Sequence, residues 1–114
     1  MKENIVRDKS FDFSLRVIAL YKELIKSNEY VISKQLLKSS TSIGANVEEA
    51  LAGISKKDFI AKMSIASKEA RESKYWLRLL KESGLIKYNY ESLLKEIDSL
   101  VNILTAIVKT SQNK

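Results

Sequence analysis

Two groups of side chains in this sequence have the types and the spacing to do chemistry. The first is rich in carboxylates. Asn46 and Glu49 lie three residues apart, and so do Glu69 and Glu72. On a helix that spacing places both members on one face. Two such helices pressed together would gather three carboxylates and an amide, a set that could hold a metal ion or move protons. The competing reading is an inter-helix network neutralised by Lys68, Arg71 or a base from another subunit, because buried charges must be paired. The chain has no histidine and no cysteine. That removes Glu-x-x-His di-iron sites, Cys/His zinc sites and His-containing triads, and no loop has calcium-ligand spacing. The network reading leads, and we expect no catalytic residue, no metal and no cofactor.

The second group is basic. Lys57, Lys68, Arg71, Tyr75 and Arg78 fall on one side of a helix at 100° per residue, roughly opposite an apolar seam from Phe59 to Leu80, with Lys62, Lys74 and Lys81 flanking them. The chain carries a formal net charge of +6, and the segment from Lys56 to Ser83 alone holds eight basic and four acidic residues, a net +4. A concentrated positive surface favours polyanions. One reading is a phosphate-binding face on which Tyr75 stacks a base. A second is a solvated face with local pairs such as Lys68–Glu72 and Arg78–Glu82. A third is a face turned to a neighbouring subunit.

These groups need rigid supports, and the composition supplies helices. There is no proline and there are three glycines, so few residues can turn the chain. The spacing predicts one domain over residues 1–114, an all-α antiparallel up-and-down four-helix bundle with helices near 8–27, 33–52, 56–83 and 89–111. Residues 1–7 read as a polar arm. Asp8 or Ser10 is expected to cap the first helix, whose apolar stripe is Phe11, Leu15, Ile18, Tyr21 or Lys22, and Ile25, widened by Leu20 and Leu24. Ser33 is the expected cap of the second helix, with Leu36 or Leu37, Ser40, Ile43, Val47, Ala50 or Leu51, and Ile54 inward. Ser55 caps the third, whose seam Phe59, Met63, Ala66, Ala70, Ser73, Leu77 and Leu80 repeats at four-then-three spacing. Gly84 stops it. Asn89 caps the fourth, with Leu93, Ile97, Leu100, Leu104 and Ile107 inward and a wider apolar arc that offers surface to a second subunit.

The second helix contains a run of small residues, Ser39-Ser40-Thr41-Ser42-Ile43-Gly44-Ala45-Asn46. Gly44 in mid-helix costs roughly 1 kcal/mol relative to alanine, so a packing reason is expected. The matching small residues Ser64, Ala66, Ser67 and Ala70 point to the third helix as the neighbour. Tyr75 and Trp76 are adjacent, hence about 100° apart on a helix, and only one can enter the core. Ser42, Gly44, Asn46, Glu49, Glu69, Glu72 and Trp76 are therefore expected to serve helix packing or an interface.

The run Tyr30 to Leu37, the core Thr41-Ser42-Ile43-Gly44-Ala45-Asn46-Val47, Asp58-Phe59-Ile60, Ile65-Ala66 and Glu72-Ser73-Lys74-Tyr75-Trp76-Leu77 carry a resemblance. They look like the bacterial four-helix-bundle family that includes proteins encoded in intervening sequences of 23S ribosomal RNA genes, and are similar to the accessory variability determinant of diversity-generating retroelements. The likeness spans about Phe11 to Thr110 and departs at Ala50, where many relatives carry glycine. It implies a four-helix bundle and a homo-oligomer, most often a pentamer; most members have no assigned activity.

The expected function is thus a non-enzymatic oligomeric binding module that engages RNA or DNA through the third helix, as an accessory to a nucleic-acid enzyme. The alternative is a protein-interaction scaffold. No small-molecule substrate is evident. No apolar run is long enough to span a membrane and no signal-peptide pattern opens the chain, so a cytoplasmic location is expected, in keeping with the missing cysteines.

Overall fold

The computed structural model describes residues 2–113, with side chains described from Ile5 onward. Its four helices are α1 (Lys2–Lys26), α2 (Ile32–Leu51), α3 (Lys56–Ser83) and α4 (Tyr90–Gln112). Each packs on the next in sequence, and α1 closes on α4, while the diagonal pairs α1/α3 and α2/α4 bring no Cα atoms within 8 Å among the described residues. The result is an antiparallel four-helix bundle 46 Å long and 20 Å across.

The predicted seams of α3 and α4 form the core. Met63, Ala66, Ala70, Ser73, Leu77 and Leu80 are buried on α3, and Leu93, Ile97, Leu100, Leu104 and Ile107 on α4, joined there by Tyr90. Phe59 packs on the edge of that core. Leu94, Val101, Ile103 and Val108, the wider arc of α4, are partly buried against the same core.

On α1 the expected stripe is the wrong one. The buried residues are Val6, Ser10, Phe13, Val17, Leu20 and Leu24. Phe11 and Leu15 are 61% and 52% exposed, and Ile18 is exposed as well. Both stripes repeat at three- and four-residue steps, so periodicity cannot rank them. Small Ser10 lets α1 approach α2, and Val6 extends the inner stripe toward the N-terminus. The helix accordingly begins at Lys2 rather than near Asp8, and Ser10 is not a cap: its hydroxyl donates to the Arg7 carbonyl at 3.0 Å from inside the helix.

The start of α2 is also capped differently. Ser33 is buried and donates to the Glu29 carbonyl at 2.8 Å. The Glu29 carboxylate accepts from the backbone amides of Ile32 and Ser33 at 2.6 and 3.1 Å, satisfying two of the orphan donors of the first turn. Asn89 stands at the N-cap position of α4 without a side-chain capping bond. Ser55 does cap α3, accepting from the Asp58 amide at 3.0 Å, and Gly84 ends that helix in the left-handed conformation at φ 68°. Ile54, expected inside, lies fully exposed in the α2–α3 link.

The small residues of α2 meet two neighbours. Toward α1, Ser14 donates to the Ser40 carbonyl at 3.2 Å, and a methyl group built at Gly44 would lie 3.5 Å from Ser10 Oγ. Toward α3, Ser39 and Ser73 share a hydrogen bond. Gly44 thus faces α1, not the expected α3. Among the described residues the α1–α4 seam is the thinnest of the four. Arg16 bridges it to Ser92 and Glu96 at 2.7 and 2.9 Å, and beside it opens an apolar hollow of about 280 Å³ lined by Ile5, Asn102, Ile103 and Ala106.

Candidate nucleic-acid interface

The carboxylate set does not assemble. Asn46 donates to the Ser42 carbonyl of its own helix at 2.9 Å. Glu49 pairs across the α2–α3 seam with Lys62 at 3.2 Å. Glu69 and Glu72 remain together on α3. Burial, then the neighbouring Glu72 charge, push the Glu69 carboxyl above its ordinary range, partly offset by Lys68 and Lys38. Among the described residues no three acidic side chains come close enough to share an ion. Glu49 is neutralised by Lys62, outside the expected set, whereas the expected Lys68, together with Lys38, offsets the charge of Glu69.

The basic group splits into two neighbouring lines. Lys57, Lys68 and Tyr75 are eleven and seven residues apart, which places them along one outer line of α3. Arg71 turns toward α4 and donates to Thr105 Oγ1 at 2.8 Å. Arg78 shares that flank, one turn beyond Lys74 and three residues before Lys81. The flanking cations are neutralised: Lys74 pairs with Asp98 at 2.7 Å and Lys81 pairs with Glu91, both on α4. The short Lys81–Glu91 contact holds the Lys81 ammonium proton more tightly than usual. Lys57, Lys68, Arg71 and Arg78 stand without a carboxylate partner among the described residues, and the local pairs Lys68–Glu72 and Arg78–Glu82 do not form.

Tyr75 is 53% exposed and meets the edge of Trp76 at 5.0 Å between ring centres. Trp76 lies at the bundle edge, packed on the core, with its indole N–H buried and without an acceptor among the described residues. Of the other residues expected at packing or interface positions, Ser42 and Gly44 are half-buried along α2.

Sequence reasoning missed two features. One is a polar hollow between α3 and α4, lined by Ser64, Ser67, Arg71, Thr105, Val108, Lys109 and Gln112. Serines at positions 64 and 67 were legible as small, but not as facing α4. The other is the exposed α1 stripe with the groove beside it, about 310 Å³, formed with Thr41, Gly44 and Ala45 of α2.

Fold and site together define a small, basic, antiparallel four-helix-bundle protein whose distinctive surface is a charged helix face. The chain belongs to the 23S rRNA-intervening sequence protein family, whose model matches residues 2–106. It is similar to a crystal structure from Bacteroides thetaiotaomicron, described as a protein with unknown function from the S23 ribosomal protein family. The two are 46% identical over 96% of this chain and 99% of that one, with a TM-score of 0.91. No curated protein matches the chain. No helix among the described residues is long and apolar enough to cross a membrane.

Proposed function

We propose that this chain is a non-enzymatic binding module that assembles as a homo-oligomer and engages the phosphate backbone of RNA or DNA through the basic face of α3. The observation that carries it is the distribution of charge. Cations on α3 that reach α2 or α4 carboxylates are neutralised, whereas Lys57, Lys68, Arg71 and Arg78 keep their charge for an outside partner. Unpaired arginine and lysine on one rigid face are what sequence-independent backbone binding requires.

The oligomer is supported by two apolar stripes. Phe11, Leu15 and Ile18 line the outside of α1, and Ile65, Tyr75 and Leu79 the outside of α3. The two helices occupy opposite corners of the bundle. Two different patches on opposite corners suit a head-to-tail contact, which closes as a ring when the rotation allows. In such a ring Arg71, which reaches Thr105 of α4, and Arg78, seven residues on along the same flank, are the part of the basic face left open. Repetition around the ring adds weak contacts by multivalency.

The test is anisotropy with a labelled single-stranded RNA at two salt concentrations, alongside light scattering. For the two phosphate contacts of one protomer, a fourfold rise in salt should weaken binding about sevenfold, and more steeply as further protomers engage the same strand. An oligomer that binds no RNA at low salt would instead favour a protein-interaction scaffold, the second reading, for which the exposed stripes are the specific support.

A further inference from the structure

The hollow between α3 and α4 is chemically one-sided. Its polar lining consists of Arg71, Lys109, Ser64, Ser67, Thr105 and Gln112, with no carboxylate among the described residues. Several serines near the core of this protein donate back along the chain: Ser10, Ser33, Ser40 and Ser73 each bond a carbonyl three or four residues earlier. Ser64 and Ser67 make no such bond among the described residues. Arg71 has five N–H donors, and one of its nitrogens is bonded to Thr105. That bond also fixes the guanidinium against the wall of the hollow and leaves the Thr105 hydroxyl proton free to point elsewhere. Lys109 adds a second cation, without an ion pair among the described residues.

We infer that this hollow is an oxyanion site for a phosphate group. A fixed guanidinium offers the forked donors that match phosphate oxygens, the hydroxyls suit the remaining oxygens, and the ammonium completes the charge. At about 260 Å³ the hollow is smaller than the roughly 300–1,000 Å³ of pockets that enclose whole small molecules. It fits one anionic group with the rest of its molecule outside. The last turn of α4 directs carbonyl dipoles toward this end, which opposes an anion, and Lys109 lies in that turn to offset them. The hollow exists because serine stands at two α3 positions where larger side chains would fill the gap to Thr105 and Val108.

The same chemistry arises from a nucleic-acid backbone or from a free phosphate compound. The first source rests on the proposed function and makes this hollow the seat of a backbone phosphate; the second does not. The experiment separates them. Amide resonances of the full ¹⁵N-labelled chain are followed during titration with inorganic phosphate, with acetate at matched ionic strength as control, and the labelled RNA is measured in parallel. Two variants are compared: Arg71→Gln, which removes a cation, and Ser67→Val, which fills the hollow and keeps every charge. Helical circular dichroism verifies that each is folded.

Phosphate, but not acetate, should shift the amides around Ser64–Arg71 and Thr105–Gln112 saturably, and each variant should lose about tenfold or more in affinity, as expected for a charge-assisted hydrogen bond. No saturable shift, an equal response to acetate, or full affinity in Ser67→Val overturns the site. RNA binding that both variants leave intact overturns the hollow as a backbone seat while the proposed function stands. Saturable phosphate binding without RNA binding upholds the site, assigns it to a free phosphate compound and removes the nucleic-acid reading.

Discussion

Ser39 of α2 and Ser73 of α3 are both buried and face each other with their hydroxyl oxygens 2.8 Å apart. Ser73 also has the Glu69 carbonyl as an acceptor at 2.9 Å and Ser39 the Leu36 carbonyl at 3.2 Å, so either hydroxyl can donate the shared bond. This pair is the polar centre of the seam between the two helices. Replacing Ser73 by alanine should cost about 1 kcal/mol, because Ser39 can fall back on the Leu36 carbonyl at 3.2 Å. The double replacement Ser39→Ala with Ser73→Ala should cost less than the sum of the two. Urea unfolding of the four proteins measures the coupling, and additive effects would show that the bond contributes nothing of its own.

Gly44 and Gly53 should respond to alanine in opposite directions. A Cβ at Gly44 meets its nearest neighbour, Ser10 Oγ, at an ordinary 3.5 Å. The helix would gain roughly 0.5–1 kcal/mol from the better helix former. At Gly53 the added carbon would lie 2.7 Å from an Asp58 carboxylate oxygen and 3.0 Å from the Ala50 carbonyl. The side chain can move but the helix end cannot, so Gly53→Ala should lower the melting temperature. A destabilised Gly44→Ala would mean that a tighter contact is made at that position, as when a second copy covers it.

Glu69 gives the pH dependence a sign. Its folded-state pKa lies above the ordinary 4.5, so the native state binds the proton more tightly than the unfolded chain. Ionisation therefore opposes folding. That penalty is complete above the folded-state pKa and vanishes as pH falls through the unfolded value. Glu69→Gln should raise the melting temperature at neutral pH, and the advantage should disappear at about pH 4, where both proteins carry a neutral side chain. An advantage independent of pH would trace to packing instead.

Phe11 and Leu15 are the sharpest test of assembly. Neither belongs to the core, so Phe11→Ser with Leu15→Ser should leave helical content and core packing intact. If the stripe is covered by a second copy, the pair should dissociate the oligomer to the 13.0 kDa chain in light scattering. An unchanged assembly would place the contact elsewhere, and the Tyr75–Leu79 stripe of α3 would be the next to substitute.

The seams of α3 and α4 were legible because each carries a single apolar stripe at four-three spacing with polar residues on either side. The α1 core was not, since that helix has two stripes of similar quality and only tertiary packing selects between them. Ser33 has the side-chain type of a cap, yet the cap is Glu29, whose longer side chain reaches two amides from outside the helix. The residues of the basic face were legible as a set from charge and spacing. Which of them are free was not, because Lys62, Lys74 and Lys81 are distinguished from Lys68, Arg71 and Arg78 only by carboxylates 10 to 24 residues away on other helices.

The thin α1–α4 seam has a kinetic consequence. Three of the four seams join helices adjacent in the chain, which need only short loops to close. The fourth is bridged by Arg16 and Ser92, 76 residues apart, and carries the largest loop-closure entropy with the least packing to offset it. Folding should therefore run through an open α2–α3–α4 hairpin array onto which α1 docks last. In native-state hydrogen exchange α1 should be the first unit to open, so the protein breathes along one edge, like a book hinged on α2.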